Sequence, residues 1–266
     1  MKILVCIKAV PEPEHAICNG NVFPEVSIDD HTELRMNRFD EFAVEEAVLI
    51  KESFPGTIVD VITMGPENAV KTIKRAIGMG ADNGIHILSD YHTSCDAVAV
   101  SSCIAKMTKE ENYDLILCGI MSEDMMQFSV GPMMAQRLSL PWATSVIKAN
   151  IAPDNQKIRV ERELEGGVKA VIDINLPALL TIQSGINEPR YVGIRGIRKV
   201  ASVDIPELGA ADLGVDAGAI GADAAKVKRL DYYVPDMGEG AEMLTGSTEE
   251  IIAKLVEYLK AKGGLK

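Results

Sequence analysis

The sequence has few positive charges and no apolar run long enough to span a membrane. Its 266 residues include 27 lysines and arginines against 39 aspartates and glutamates, which gives a net charge of −12. Such an acidic chain is a poor candidate for binding nucleic acid or an anionic membrane surface. No apolar stretch reaches the ~18 residues of a membrane helix. The apolar part of the opening MKILVCIKAV is too short for a secretory signal. We therefore expect no nucleic-acid partner and no membrane insertion.

Cysteine and histidine are scarce and are not arranged as metal ligands. The five cysteines and four histidines form no CxxC motif and no ligand spacing, and an odd cysteine count argues against a disulfide framework. This usage predicts a reduced, cytoplasmic compartment and no metal site. Cys118 ends an apolar strand-like run, LILC, where a small buried hydrophobe is more common than a catalytic thiol.

Named phosphate-binding and catalytic motifs are also missing. The chain contains no GxGxxG, no GxxxxGK[ST], no GxSxG and no SGGxDS. Glu161 and Glu163 alternate along a predicted strand and therefore share one face. Such a pair is more typical of a solvated or salt-bridged face than of an acid/base couple, because the two roles need different environments. The residues by themselves indicate no catalytic constellation.

What the sequence does contain is an alternation of strands and helices. Strand-like apolar runs alternate with segments whose apolar residues recur at three and four, as in amphipathic helices. The predicted strands cover 2–10, 57–64, 84–88 and 115–118, and the predicted helices cover 39–54, 67–79, 95–107 and 131–138. Right-handed βαβ crossovers then predict an α/β fold, a doubly wound and mostly parallel sheet with helices on both faces.

The helical period disappears after Trp142. Short strand-like pieces over 145–151, 157–163, 170–175 and 178–183 are expected to extend or cap the sheet in antiparallel fashion. We expect one α/β domain over 1–199. Residues 200–266 are expected to form an arm that packs on a partner, because a segment rich in Gly, Ala and Asp has no core of its own. An amphipathic helix over 248–262, capped by Ser247 or Thr248, ends the chain.

Candidate ligand-binding loops follow the predicted strands. Open α/β sheets bind ligands beyond the carboxyl ends of their strands, where the strand order reverses. Four segments qualify: the loops at 8–10, 63–66 and 119–132, and the segment 36–40 at the start of a helix. Backbone N–H groups near Ser129, at a helix start, could hold a phosphate. By pattern alone, a capped turn and a packing role for the loop's methionines are the commoner alternatives.

Several motifs together resemble one family. VERELEGGVKAVIDINLPALLTI (160–182) followed by INEPRY (186–191) is similar to the signature of the β subunits of electron transfer flavoproteins. ILVCIKAVPEP, MNRFDEFAVEEAV, VITMGP, MGAD and DLILCG stand in that family's usual order. The resemblance covers about residues 1–200, and the tail has the family's length and closing helix.

The resemblance implies an electron-carrier subunit rather than an enzyme. It implies an adenine-nucleotide α-hydrolase-like fold and a heterodimer with an α subunit that holds most of the FAD site. The complex would pass electrons between an acyl-CoA-type dehydrogenase and a downstream acceptor through that FAD. Conventional members hold AMP in the β subunit, and electron-bifurcating, NADH-oxidising members hold a second FAD there. The loop from Lys8 to Glu14 would face the flavin of the α subunit.

By position, the family's nucleotide site falls on the candidate loops. The resemblance places adenine and ribose against Cys6, Phe39 and Met64, and phosphate on backbone N–H groups from Gln127 to Gly131. The full implied set is Cys6, Asn37, Arg38, Phe39, Asp40, Met64, Gly119, Asp124, Met126, Gln127, Phe128, Ser129, Val130 and Gly131. Asp124 would serve a sugar hydroxyl or cap the backbone.

Three residues of this set depart from the family pattern. Met126 replaces an acidic residue, Ser129 replaces Gln, and Arg38 stands where Pro is frequent. These departures leave AMP and FAD both open as the bound nucleotide, with the smaller Ser129 and the flexible methionines slightly favouring FAD.

A recognition loop over 187–199 completes the resemblance. Its implied apolar anchor is Ile194, and Arg190, Arg195, Arg198 and Lys199 make it the most basic stretch of the chain. Basic side chains around one apolar anchor suit a transient interface with a dehydrogenase. By pattern alone, the segment is a solvated surface loop. The alternative function is a stand-alone adenine-nucleotide sensor of the stress-protein type, although such a sensor has no reason to carry the long arm.

Overall fold

The computed structural model describes residues 1–12, 33–90, 96–109, 111–200, 203–209, 212–215, 225–226 and 240–265. The chain separates into two compact units, Met1–Leu230 and Asp231–Lys266. The domain boundary expected at residue 199 and the extended arm after it stay predictions, since much of 200–239 lies outside the described residues.

The first unit is built on a mostly parallel sheet of nine described strands in the order β11-β5-β4-β1-β6-β10-β7-β8-β9. Two further strands, β2 and β3, pair antiparallel in a small separate sheet. The bounds are β1 Lys2–Cys6, β2 Ala9–Pro11, β3 Leu34–Met36, β4 Ile58–Gly65, β5 Asn83–Leu88, β6 Leu115–Gly119, β7 Trp142–Ile151, β8 Lys157–Glu163, β9 Lys169–Asn175, β10 Ala178–Ile182 and β11 Glu207–Leu208.

Helices cover both faces of this sheet, which confirms the predicted doubly wound α/β fold. The helices of the first unit are α1 Arg38–Ser53, α2 Val70–Met79, α3 Ala97–Thr108, α4 Val130–Leu138 and α5 Ile194–Val200, and a 3₁₀ turn over Glu67–Ala69 precedes α2. One apolar core lies between the sheet and helices α1 and α2. A second core lies between the opposite face and helices α3 and α4.

Strand β1 shows why the sheet is covered twice. Ile3 and Val5 point into the core under α1 and α2, whereas Leu4 and Cys6 point into the core under α3 and α4. All four residues are buried, which is the pattern of a parallel strand with helices on both faces. The predicted strand over 2–10 ends at Cys6, and its last two residues, Ala9 and Val10, belong to the separate strand β2.

Strand β10 differs from the antiparallel extension that the sequence predicts. β7, β8 and β9 do pair antiparallel, but β10 lies between β6 and β7 and runs parallel to both. The physical reason is its composition, because all five residues of ALLTI are buried and need cover on both faces. β8 and β9 carry exposed polar residues and therefore suit the outer part of the sheet.

The second unit contains helix α6, Thr248–Ala261. Its start is a capping box: the Ser247 hydroxyl accepts the N–H of Glu250 at 3.3 Å, and the Glu250 carboxylate accepts the N–H of Ser247 at 2.8 Å. Of the two predicted caps, Ser247 is thus the one used. No helix formed by the described residues has both the length and the apolar character needed to cross a membrane.

Candidate functional site

A cleft opens at the carboxyl ends of β1, β4 and β6. From β1 the chain passes to β4 and β5 on one side and then to β6 on the other, so the strand order reverses beside β1. This is the place where open α/β sheets bind ligands. The cleft holds about 680 Å³, counting the part open to solvent.

Most of the residues implied by the resemblance line this cleft. Segments far apart in the chain meet there, because the strand ends and the following loops share one edge of the sheet. The predicted residues in the lining are Cys6, Asn37, Asp40, Met64, Gly119, Gln127, Phe128, Ser129, Val130 and Gly131. The four other implied residues lie beside it.

Two of these four, Phe39 and Arg38, contact segments that form walls of the cleft. Phe39 packs against Gly119, where a side chain would place its Cβ 2.6 Å from the Cβ of Phe39. Glycine is therefore needed at 119 for the strand end to approach helix α1. Arg38 is exposed, and its backbone N–H donates to the Glu123 carboxylate at 3.1 Å.

The other two lie on the loop that follows β6. The Asp124 carboxylate accepts a hydrogen bond from the Lys8 ammonium at 2.6 Å, both side chains being largely buried. Met126 points outward and is 60% exposed. Lys8 is one of two charged residues among those described in the lining, the other being Asp40.

The cleft also includes residues that the family positions did not name. One wall comes from α3, through Ala97, Val100 and Ile104. Their i, i+3, i+7 spacing marks one helix face. That spacing is typical of any helix packed on a core, so it could not have identified a ligand site. The remaining lining residues are Ile7 and Lys8 after β1, and Ile120, Met121, Ser122 and Met125 of the candidate loop 119–132.

Asp40 joins two strand ends under the cleft. Its carboxylate accepts the N–H of Lys8 at 2.7 Å and the N–H of Gly119 at 2.9 Å, and so connects the residues that follow β1 to the end of β6. Burial raises the pKa of Asp40 to about 7, against the opposing effect of these two donors. Near neutral pH this group is therefore poised between its neutral and charged forms.

Asn37 fixes the loop after β6 in a similar way. Its side-chain amide donates to the carbonyl of Met121 at 2.8 Å and accepts the N–H of Glu123 at 3.1 Å. Asn37 is fully buried, so both bonds are shielded from water. One residue at the start of α1 thus sets the course of the loop that forms a wall of the cleft.

The N-terminus of α4 faces the cleft without a side-chain cap. The Ser129 hydroxyl donates to the carbonyl of Gln127 at 2.5 Å and makes no capping bond to the helix. Met126 and Phe128 have positive φ values of 50° and 54°, a conformation that costs non-glycine residues about 1–2 kcal/mol. The first N–H groups of α4 therefore lack a side-chain acceptor, and with the helix dipole they suit a phosphate.

The two cysteines of the cleft floor are not nucleophiles. Cys6 and Cys118 lie opposite each other on β1 and β6, and both are buried. Burial is the largest cause that raises the pKa of both thiols, so both stay protonated. They serve as small apolar floor residues, with the Cys6 sulfur 3.9 Å from that of Met134.

The predicted docking residues lie on α5 and the segment before it. Ile194 is 73% exposed, and Arg198 is exposed beside it. Arg190 instead forms ion pairs within the chain, to Glu45 at 2.9 Å and to Glu52 at 2.6 Å.

Two further docking residues complete the set. The Lys199 ammonium donates to the carbonyl of Ala81 at 2.7 Å. Arg195 lies within α5. Of the four predicted cations, Arg190 and Lys199 therefore bind their own chain.

Comparisons with known proteins show similarity to one family. The family model described as the electron transfer flavoprotein domain matches residues 26–213. The electron transfer flavoprotein subunit beta of Methylophilus methylotrophus is 34% identical over 262 residues, covering 97% of this chain and 98% of that protein. The corresponding subunit of Bacillus subtilis is 34% identical over 236 residues, covering 88% and 89%. The caffeyl-CoA reductase-Etf complex subunit CarD of Acetobacterium woodii is 34% identical over 273 residues, covering 98% and 99%.

Proposed function

The chain belongs to the electron transfer flavoprotein family, among its β subunits, and from this membership we propose its function. It pairs with an α subunit and passes electrons from an acyl-CoA-type dehydrogenase to a downstream acceptor through FAD. The observation that carries the proposal is the near full-length similarity to β subunits, and a cleft lined by most of the residues that the resemblance implies for the nucleotide supports it. The flavin supplies the redox chemistry, and the protein supplies binding, orientation and electrostatics.

We assign the cleft to an adenine nucleotide. Two features support this assignment: an apolar wall on α3 for a flat base and an uncapped helix N-terminus for phosphate. Asp40 and Asn37 hold the surrounding loops in place through backbone groups, so binding needs little reordering of the protein.

Two versions of the proposal differ in the nucleotide. AMP would make the complex a conventional carrier, and a second FAD would make it a bifurcating complex that oxidises NADH. The CarD protein, which is named as a subunit of a caffeyl-CoA reductase-Etf complex, supports the second version, in which the partner is a CoA-ester reductase. AMP and FAD share the adenosine phosphate, so the cleft's chemistry suits both.

A cofactor count tests the proposal and separates the two versions. The chain would be co-expressed with its α partner, the complex denatured, and released FAD and AMP quantified by chromatography. One FAD with one AMP per heterodimer supports the conventional carrier, and two FAD support bifurcation. The intact complex would then be mixed with short-, medium- and long-chain acyl-CoA dehydrogenases and their acyl-CoA substrates, with flavin reduction followed by absorbance. A stable complex without flavin would overturn the proposal and favour the adenine-nucleotide sensor.

A matched pair of variants on α3 tests whether the nucleotide of this subunit, the second one in the heterodimer, lies in the cleft. Val100 lines the cleft, whereas Lys106 on the same helix is exposed outside its lining. Val100→Trp fills the space that the nucleotide needs, so the count of bound nucleotides should fall by one per heterodimer. Lys106→Trp should leave the count unchanged. An unchanged count in Val100→Trp would remove the nucleotide from this cleft.

A further inference from the structure

Helices α5 and α2 approach so closely that their backbones touch at two glycines. A Cβ atom at Gly196 would overlap the carbonyl oxygen of Gly78 and lie 2.9 Å from its carbonyl carbon. A Cβ atom at Gly78 would in turn lie 2.7 Å from Cγ1 of Val192. No side chain fits at 196 unless α5 moves, because the obstacle is backbone. The absence of side chains at these two positions is thus what allows α5 to lie against α2.

Other contacts hold the same side of α5 against the rest of the first unit. Lys199 follows Gly196 by three residues, and its ammonium contacts the carbonyl of Ala81 and, at 3.2 Å, the Asp82 carboxylate. Lys51 also donates to that carboxylate, at 2.6 Å, and these lysines help to lower the pKa of Asp82.

The segment before α5 is fixed to helix α1. The Arg190 guanidinium bonds to Glu45 and Glu52. The side-chain amide of Asn187 donates to the carbonyl of Phe42 at 3.1 Å. Every contact named so far lies on the side of the segment that faces α1 and α2.

The opposite side of α5 carries exposed apolar residues. Ile194 is 73% exposed and Ile197 is 62% exposed. They are three residues apart, so they lie side by side on one helix face. Arg198 is exposed next to them and has no ion pair with any described residue. A helix of seven residues is not stable by itself, so the position of this face depends on how α5 is packed.

We propose that the contact between Gly78 and Gly196 is a positioning device for partner docking. It holds α5 so that Ile194 and Ile197 together enter an apolar pocket of the electron-donating dehydrogenase, with carboxylates of that partner facing Arg198. Arg190 and Lys199 are engaged within the chain, whereas Arg198 is exposed and has no ion pair with a described residue, so Arg198 is the cation that suits a carboxylate on the partner. The inference rests on the proposed function and adds a second apolar anchor and the residues that position both.

The test is Gly196→Ala in the complete heterodimer. The added methyl group should push α5 away from α2, so amide protection over 194–200, measured by hydrogen exchange, should fall about tenfold. The assay uses a dehydrogenase that reduces the unsubstituted complex. The KM of this dehydrogenase for the complex should rise about tenfold, since a misplacement of about 1 Å is costly. The kcat and the cofactor count should not change, because the nucleotide cleft is elsewhere.

Two controls isolate the contact. Gly193→Ala adds the same methyl group where no atom of the chain lies within 4 Å, so it should leave amide protection over 194–200 unchanged. Gly78→Ala should reproduce the defect from the other helix, because its methyl group meets Val192. In the double variant Gly78→Ala with Val192→Ala the obstructing methyl groups are gone, and both readouts should recover.

Several outcomes would overturn the inference. Unchanged amide protection in Gly196→Ala would show that the contact does not hold α5, and lost protection with an unchanged KM would show that its position does not matter for docking. Ile194→Ala and Ile197→Ala should each raise KM, and a normal KM in Ile197→Ala would remove the second anchor. If no dehydrogenase reduces the unsubstituted complex, the proposed function itself fails. This outcome differs from a failure of the inference, because it is observed without any substitution.

Discussion

At the scale of single residues, Asp40 combines a structural and an electrostatic role. Its carboxylate is buried, joins the ends of two strands, and titrates near neutral pH because of that burial. The difference between the pKa of Asp40 in the folded and unfolded states determines whether stability rises or falls with pH. The folded protein keeps a proton on Asp40 that the unfolded chain has lost, so this group's contribution to stability is fully present below its ordinary pKa of 3.8, declines as the pH rises from there to about 7, and is lost above 7.

The substitution Asp40→Asn should remove this pH dependence. Between pH 5 and 7, the free energy of unfolding of the unsubstituted protein should fall, relative to the variant, by up to about 1.4 kcal/mol for each pH unit, with the slope decreasing toward pH 7. Urea unfolding of both proteins at pH 5.5, 6.5, 7.5 and 8.5 measures the difference. Parallel stability curves for the two proteins would contradict the titration of Asp40 in this window.

At the scale of secondary-structure elements, α4 owes its place to a glycine. A Cβ atom at Gly131 would lie 2.5 Å from Cγ2 of Thr181 on β10 and 2.9 Å from the sulfur of Cys118 on β6. Gly131 therefore lets the start of α4 lie directly on the sheet, where its N–H groups face the cleft. The phosphate site that we propose depends on this packing more than on the side chain of Ser129.

The substitution Gly131→Ala should displace the start of α4. Overpacking of this kind costs about 1–3 kcal/mol of stability, and the affinity for AMP and FAD should fall about tenfold as the N–H groups move. Isothermal titration of the nucleotide-depleted complex and urea unfolding measure the two effects. Adding Thr181→Ser removes the nearest methyl group and should restore part of both. A variant with native nucleotide affinity would refute this role for α4.

At the scale of the first unit, one sheet serves two apolar cores. Ile3 and Leu4 are adjacent on β1 and fully buried, yet they belong to cores on opposite faces. Since both cores share β1, β4, β6 and β10, neither should lose its structure while the other remains intact.

Truncation on either face should therefore destabilise the first unit as a whole. Ile3→Ala and Leu4→Ala should each lower the free energy of unfolding by about 2–5 kcal/mol through lost burial and a cavity. Near-ultraviolet circular dichroism and hydrogen exchange in both cores should report one coincident urea transition in each variant. Two separate transitions would show that the faces unfold independently.

The fold could be predicted from the sequence where local pattern and tertiary context agree. The helix periods of α1, α2, α3 and α4 and the apolar runs of β1, β4, β5 and β6 suffice for a parallel doubly wound sheet. The insertion of β10 between β6 and β7 was not predicted, because its place depends on which strand needs cover on both faces. The wall of α3 was missed because an apolar helix face looks the same whether it meets a core or a ligand.

The sequence by itself determined the family, the fold class and the loops at the cleft, since these follow from motifs and periodicity along the chain. Only the tertiary structure decided which groups the side chains of this protein contact. It showed the raised pKa of Asp40, the ion pairs that occupy Arg190 and Lys199, and the backbone contact between Gly78 and Gly196. The physical reason is that burial, charge pairing and close backbone approach join residues distant in the chain, and no local pattern records which of them meet.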